Sequence, residues 1–272
     1  MTPCALRKIA AYLRKEYLIE RSYRFAFLFS VLGIFTGIAT YFFIDRMYAH
    51  ASAPGLEPFG TSYFAYALVG NAFFAYLGAS LGGIAGRIGA EQRLGTLEAI
   101  LATPTSPWVL MAAMAAWNVL YASLEVGLYF LVGAVGFGVD LSRADPFSTG
   151  LLLALVVLAF SSLGIVEASC VLVFKRGTFV AWAMNGVFAL LGGVFFPVSV
   201  LPAWLRPVSE LLPITHAIRG LQMAIHQGSS VADLTVEIGV LMFFCVLLVP
   251  VGILALRWGL RRARTDGTLS DS

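Results

Sequence analysis

Two glutamates in a short charged stretch are the residues best suited to bind a soluble partner. They are Glu91 and Glu98 in the segment EQRLGTLEAILATPTSP, which lies between two long apolar runs. On a continuous helix, Glu91, Gly95 and Glu98 share one face. A second face carries Leu94, Leu97, Ile100 and Leu101. We expect the apolar face to pack against neighbouring helices and both carboxylates to face water. A helix that only lies on a membrane surface would explain the leucines but not the paired glutamates.

Two further carboxyl groups lie inside apolar runs, where a charge is costly and tends to mark function. Glu125 falls near the middle of the run 108–137, and Glu167 falls toward the end of the run 149–174. These groups could form a proton or substrate site. Because the runs hold no Lys or Arg to complete a relay, we favour the alternative of neutral or paired carboxyls that bridge helices.

The sequence predicts neither a metal site nor a catalytic site. His216 and His226 are ten positions apart, which is not the i, i+4 spacing of a helical metal pair. The runs contain no Ser-His, His-Glu or Asp-Asp grouping suited to catalysis. Since no Gly-Lys pair occurs anywhere, the G-x-x-x-x-G-K-[ST] phosphate loop is also missing. We therefore expect a chain that is not an enzyme and holds no cofactor of its own.

Long apolar helices must position all of these residues. The chain has 272 residues, of which 59% are hydrophobic and only 12% charged, and its mean hydropathy is +0.86. About 20 apolar residues cross a hydrocarbon core of roughly 30 Å as a helix. We predict an all-α membrane protein, a single transmembrane domain over 1–272, with six transmembrane helices. Their expected ranges are 25–44, 61–86, 108–137, 149–174, 178–196 and 235–256.

The distribution of basic residues predicts the orientation. With the amino terminus inside, cytoplasmic segments hold 14 of the 18 Lys and Arg residues. Cytoplasmic loops are enriched in these residues. We therefore expect a multi-pass protein of the cell inner (plasma) membrane with both termini cytoplasmic. The net charge of +3 reflects this topology, so we expect no nucleic-acid partner.

Two segments outside the spans have their own patterns. Residues 1–24 place apolar side chains on one arc and basic ones on the other, which predicts an amphipathic interfacial helix in contact with membrane lipid; a merely basic leader is the alternative. Residues 197–230 are apolar but broken by four prolines. We expect this part to be a re-entrant hairpin of short helices in the outer leaflet.

The order and spacing of these features resemble the type-2 ABC exporter permeases. In the first half the resemblance rests on Glu91, Gly95-Thr96-Leu97-Glu98 and Thr103-Pro104. In the second half it rests on Gly193 through Phe196-Pro197, on Leu201-Pro202-Ala203-Trp204-Leu205 and on Leu212-Pro213-Ile214-Thr215-His216-Ala217. It extends over nearly the whole chain, although Gln92-Arg93 and Glu125 depart from the usual pattern.

The resemblance implies a permease subunit that pairs with a second copy of itself and docks cytoplasmic ABC ATPase subunits, which bind ATP and Mg²⁺. Residues 87–107 would then hold a coupling helix that transmits ATPase motion. Its expected ATPase-coupling residues are Glu91, Arg93, Gly95, Thr96 and Glu98. The expected translocation path lies between the two copies and is lined by Phe73, Phe74, Asn185 and Phe188.

The expected substrate is a hydrophobic or amphipathic small molecule or a lipid-linked compound. Two alternatives remain open at this point. The first is export of a polysaccharide or glycolipid by a permease of the same family. The second is a proton-driven secondary transporter that uses Glu125 and Glu167.

Overall fold

The computed structural model describes residues 3–47, 55–103, 105–174 and 178–266. Every regular element within these ranges is helical, which confirms the all-α prediction. The α-helices are α1 (Pro3–Ser22), α2 (Arg24–Met47), α3 (Tyr63–Arg93), α4 (Thr96–Ala102), α5 (Pro107–Leu131), α6 (Pro146–Phe174), α7 (Thr178–Leu191), α8 (Arg206–Glu210), α9 (Pro213–Gln222) and α10 (Thr235–Asp266). Single π-helical turns, Val132–Gly136 and Met223–Gln227, extend α5 and α9.

Five helices in the described ranges, α2, α3, α5, α6 and α10, are long and apolar enough to cross a membrane. The expected span 178–196 is shorter than predicted, because α7 has 14 residues and ends at Leu191. Gly193 then adopts a φ of 73°, a left-handed conformation that cannot continue a helix. Fourteen residues rise about 21 Å, less than a hydrocarbon core. The number of crossings therefore stays a prediction.

Helix α3 is the centre of the fold, because it packs against α5 and α6 along its length and also contacts α2, α7 and α9. Its contact with α6 is close enough to require glycine. A Cβ on Gly164 would lie 2.5 Å from the Leu81 carbonyl oxygen and 2.6 Å from that of Ser80. On the other side, Gly83 lies directly against the Asn118 amide of α5. Small residues of this kind let helices approach closely in a membrane.

The buried apolar side chains form one large and one small cluster. The large cluster contains Phe73 and Phe160 and holds the middle of the bundle together. The small cluster lies at the carboxyl end of α3, around Ile88 and Leu97, and Tyr12 of α1 packs against it. Helix α1 therefore docks onto the end of the bundle, where it also contacts α5 and α2.

The segment 197–230 consists of short helices packed against the bundle. Pro207 and Pro213 lie in the first turns of α8 and α9, where a missing backbone N–H costs little. Nearly every residue of α9 is buried, and α9 packs against α3, α6 and α10. The expected short helical pieces are therefore present, while their depth in a membrane stays a prediction.

Candidate functional site

The predicted coupling helix is broken near its start. Helix α3 ends at Arg93, Gly95 adopts a φ of 67°, and α4 begins at Thr96. A left-handed backbone conformation ends the helix and changes the chain direction, and only glycine adopts it readily. The expectation of one continuous helix from Glu91 to Leu101 is therefore wrong, since Glu91 belongs to α3 and Glu98 to α4. Pro104, part of the family pattern after this helix, lies outside the described residues.

Glu91 does not face water, contrary to the sequence-based expectation. Its side chain is buried, with 8% of the residue exposed. One carboxylate oxygen accepts a hydrogen bond from the Lys15 ammonium of α1, and the other accepts one from the Thr96 hydroxyl. Because both oxygens are used within the chain, Glu91 ties α3, α4 and α1 together.

Arg87 makes a second set of contacts one helical turn earlier on α3. Its guanidinium forms an ion pair with the Glu16 carboxylate of α1. Its Nε donates a hydrogen bond of 2.9 Å to the Asn118 side-chain oxygen of α5. The guanidinium also lies 5.9 Å from the centroid of the Trp117 ring, within the range of a cation–π contact. Arg87 therefore joins α1, α3 and α5.

Lys15 connects the two ion pairs into what we name the charge cluster, which consists of Lys15, Glu16, Arg87 and Glu91. The Lys15 ammonium lies 3.5 Å from a Glu16 carboxylate oxygen, in addition to its contact with Glu91. It also lies 5.3 Å from the centroid of the Tyr12 ring. Two positive and two negative charges alternate, so each buried carboxylate has cationic partners. Removing one partner of such a group leaves an uncompensated charge, which is strongly destabilising.

The Tyr12 hydroxyl stays neutral beside the charge cluster. Burial raises its pKa, and the neighbouring Glu16 carboxylate raises that pKa further. Tyr12 therefore adds no negative charge to the cluster in the physiological range. Its ring instead covers Lys15 and contributes to the apolar surface on which α4 rests.

Helix α4 has a buried face and an exposed face. Leu97 is 1% exposed, and Ile100 and Leu101 pack against the small cluster, as the sequence predicted. Leu94 is 74% exposed, so its expected contact with the spans is wrong. The reason is that Leu94 caps α3 before the turn at Gly95. Glu98, like Arg93 at the end of α3, is exposed, so these two charges remain available to a partner.

The four expected path residues divide into two pairs. Phe73 and Phe188 are buried in the core of the single chain, where they pack against Phe130 and Phe160 with ring centroids 5.8 Å apart in each pair. Their burial argues against lining a path between copies. Phe74 is half-buried and lies 6.4 Å from Phe195 between ring centroids.

Asn185 of α7, the remaining expected path residue, is half-buried. It faces Gly78 of α3, because a Cβ on that glycine would lie 3.8 Å from the Asn185 side-chain oxygen. Asn185 therefore lies at the contact between α3 and α7, next to the middle of the bundle.

The two carboxyl groups of the apolar runs lie on different helices. The Glu125 side chain of α5 is half-buried and lies near Ser30 of α2. Glu167 is buried within α6. No hydrogen bond or ion pair within the described ranges joins the two groups. The role of both carboxyls as bridges between helices stays a prediction.

The partners that hold the charge cluster together, Glu16, Arg87 and Asn118, belong to no motif in the sequence. One local signal points to two of them. Glu16 is an acidic residue that directly follows Arg14 and Lys15 in a basic segment, and Arg87 ends an apolar run. The pairing itself was not predictable locally, because the contacts join residues 71 and 76 positions apart.

Comparison with known proteins gives a consistent result. Residues 7–226 match the family described as ABC-2 type transporter. Nodulation protein J of Rhizobium leguminosarum bv. viciae is 28% identical over 207 residues, which cover 75% of this chain and 78% of that protein. Nodulation protein J of Neorhizobium galegae is 30% identical over 165 residues, which cover 60% of this chain and 61% of that protein. The linearmycin resistance permease protein LnrN of Bacillus subtilis (strain 168) is 23% identical over 142 residues, covering 47% of this chain and 36% of that protein.

Proposed function

The chain belongs to the ABC-2 type transporter family, and from this premise we propose that it exports an amphipathic compound as one of two permease subunits driven by separate ATPases. Its place in the family makes it a multi-pass membrane subunit of an ABC transporter, in which ATP hydrolysis belongs to a different, cytoplasmic subunit. The pairing with a second copy and the inner-membrane location with cytoplasmic termini are parts of the proposal.

The observation that carries the proposal is the arrangement of α4 beside the charge cluster. Glu98 and Arg93 are exposed on either side of the turn at Gly95. We assign these two charges to the ATPase contact, because both are exposed and can pair with opposite charges on a partner. Truncating one member of a charged pair that is desolvated at an interface costs about 2–5 kcal/mol of binding free energy. Glu91, in contrast, acts as a positioning residue that fixes α4 relative to α1 and α3.

The same arrangement supplies a route for motion. A displacement of α4 would be transmitted to Glu91 through the Thr96 hydrogen bond. Glu91 is in turn bonded to Lys15 of α1. Buried contacts of Leu97, Ile100 and Leu101 join α4 to the ends of the long helices. Because these contacts are buried and polar groups in them are paired, α4 moves with α1 and α3 rather than alone. We propose that ATPase motion enters the membrane helices by this route.

An amphipathic small molecule is the substrate class that we favour. One relative is named for resistance to linearmycin, and it supports a small-molecule substrate. Phe74 has a half-buried aromatic ring, and the polar side chain of Asn185 faces Gly78, one helical turn from Phe74 on α3. Together they would suit a compound with apolar and polar parts. We propose that these two residues, and not Phe73 or Phe188, face the path.

The experiment that tests this function is co-purification with the cytoplasmic ABC ATPase partner, together with export measured in the same strain. Glu98→Ala and Arg93→Ala should each leave the permease folded but reduce ATPase recovery. The matched control is Glu57→Ala, which removes another exposed glutamate far from α4 in the chain. Wild-type recovery and export in the Glu98→Ala/Arg93→Ala double variant would contradict the assignment of α4.

A further inference from the structure

A pocket of about 610 Å³ opens between the amino-terminal end of α3, the start of segment 197–230 and helices α8 and α9. It lies at the opposite end of α3 from the charge cluster, because Tyr66 lines it while Arg87 and Glu91 belong to the cluster. Pockets of this volume accommodate ligands of drug or headgroup size. The coupling function described above does not use this pocket.

The floor of the pocket presents little free polarity. Tyr66, Thr215 and Ile218 line it, and each is no more than 2% exposed. The Tyr66 hydroxyl donates to the Gly193 carbonyl oxygen at 2.7 Å, and the Thr215 hydroxyl donates to the Ser209 carbonyl oxygen at 2.6 Å. Since both hydroxyl protons are committed within the chain, the floor best suits an apolar group.

The rim of the pocket is polar and positively charged. Its exposed lining residues include Arg206, Glu210 and Gln227. Arg219, also in the lining, forms an ion pair with Glu210, so these two charges offset each other. Arg206 has no carboxylate partner within the described ranges. The rim therefore carries one uncompensated positive charge.

Arg206 is held in a fixed position although it lacks a carboxylate. Its Nε donates to the Leu201 carbonyl oxygen at 2.8 Å, and its Nη2 donates to the Ser199 carbonyl oxygen at 2.6 Å. These bonds fix the guanidinium plane and leave its other N–H groups for a ligand. A guanidinium with N–H groups to spare suits phosphate and carboxylate oxygens.

We propose that this pocket binds an amphiphile with an acidic headgroup, whose phosphate or carboxylate pairs with Arg206 while its apolar part rests on Tyr66 and Ile218. The inference goes beyond the proposed function, because it requires neither the ATPase nor a second copy of the chain. Two sources share this chemistry, a membrane lipid and a non-lipid amphiphile.

The test measures binding to the purified full-length permease in a neutral detergent by isothermal titration calorimetry. The probes are dihexanoyl phosphatidic acid, dodecyl phosphate, dihexanoyl phosphatidylcholine and inorganic phosphate. The acidic lipid should bind about tenfold more tightly than the zwitterionic lipid, the gain expected from one charge-assisted pair. Binding of dodecyl phosphate at similar affinity would identify the site as one for acidic amphiphiles in general, and its failure would restrict the site to lipids.

Variants assign the binding to the pocket. Arg206→Gln should weaken binding of the acidic lipid about tenfold, and Arg206→Lys, which keeps the charge, should retain most of it. Val198 also lines the pocket, so Val198→Trp should weaken binding because the larger side chain fills part of the cavity. Arg143→Gln is the matched control, since Arg143 is exposed but does not line the pocket.

Four results would overturn the inference. The first is equal affinity for the acidic and zwitterionic lipids, which would remove the role of charge. The second is inorganic phosphate binding as tightly as the lipid, which would remove the role of the apolar floor. The third is unchanged binding in both Arg206→Gln and Val198→Trp, which would mean that the lipid binds outside this pocket. The fourth is an equal loss in Arg206→Gln and Arg206→Lys, which would mean that Arg206 only holds the loop in place.

Discussion

Two glutamates near the turn at Gly95 have different surroundings, because one belongs to the charge cluster and the other does not. Glu91 is buried and its two oxygens are used by Lys15 and Thr96, whereas Glu98 is exposed on α4. The same residue type at neighbouring positions therefore has different physical consequences. Replacing Glu91 should act on stability first, and replacing Glu98 should act on partner binding alone.

The first prediction concerns Glu91. Glu91→Gln removes the charge but keeps a hydrogen-bonding group for Thr96, so Lys15 loses its ionic partner. Because Lys15 is partly exposed, we expect a loss of about 1–2 kcal/mol in the free energy of unfolding. Apparent unfolding temperatures in detergent should fall for Glu91→Gln and for Lys15→Gln, and the double variant should lose less than the sum.

Glu98→Gln is the control for this comparison of single and double variants, because it removes a nearby but exposed carboxylate. It should leave the unfolding temperature unchanged. If the losses in Glu91→Gln and Lys15→Gln were strictly additive, the two residues would not be coupled and the charge cluster would not fix α4.

The second prediction concerns His226, which lies in the π-helical turn after α9. Burial lowers its pKa to about 4, from an ordinary value near 6.5. The unfolded chain therefore binds a proton that the folded chain rejects as the pH falls from about 6.5 to 4. Stability should be fully present above pH 6.5 and should decline by roughly 2–3 kcal/mol toward pH 4.

The measurement compares the unfolding temperatures of the wild type and of His226→Gln. It covers roughly pH 4.5 to 7.5, a range that includes the ordinary histidine pKa of about 6.5. The variant should show a flatter decline. Hydrogen bonds from Ser148 and Ser230 lower the pKa of Asp145 and the pKa of Asp233 below their ordinary value of 3.8. These two carboxyl groups therefore titrate below the pH range of the experiment. An identical pH dependence in both proteins would exclude His226 as its cause.

Among the helices, the contact between α3 and α6 depends on the absence of a side chain at Gly164. The third prediction is that Gly164→Ala lowers stability by about 1–3 kcal/mol, because the added methyl meets the Leu81 and Ser80 carbonyl oxygens. Backbone atoms on α3 cannot rotate away as a side chain can. The measurement is the apparent unfolding temperature and the yield of monodisperse protein.

Gly150→Ala is the matched control, since it lies on the same helix with open space around its Cβ position. Its expected effect is neutral or slightly stabilising, because alanine favours a helix over glycine by about 0.5–1 kcal/mol. Equal behaviour of the two variants would mean that α3 and α6 do not require this close approach.

The helices themselves were largely predictable, whereas their ends and partners were not. Apolar runs of about 20 residues predict membrane-length helices because backbone groups in lipid must be paired within a segment. Whether glycine continues or ends a helix depends on packing, and so the left-handed turns at Gly95 and Gly193 were missed. The role of Glu91 was missed because its partner, Lys15, lies 76 positions away.

At the scale of the whole molecule, the number of membrane crossings decides on which side each surface lies. The fourth prediction is that cysteines replacing Ser22 and Arg261 react with an impermeant maleimide only from the cytoplasm. A cysteine replacing Ser230 should react only from outside. All three positions are exposed. The background carries serine at Cys4, Cys170 and Cys245.

This experiment discriminates directly between six crossings and five. If the short helix α7 does not cross, everything after it changes sides, so positions 230 and 261 would exchange their labelling. That result would contradict the proposed topology and would place the Arg206 pocket in the cytoplasm. Labelling as expected would mean that α7, with the residues that follow it, completes a crossing.

The charge cluster also bears on the order in which the protein is assembled during synthesis. Lys15 and Glu16 emerge from the ribosome long before Glu91 and Arg87, which lie 76 and 71 positions later. The last member of the network, Asn118, belongs to the third long helix. The charges of helix α1 therefore have no partner, and we expect them to stay hydrated, until α3 and α5 have been synthesised. A chain truncated before Asn118 would therefore leave these charges and the underlying apolar surface incompletely covered, and we expect such a fragment to be degraded faster than the full-length chain.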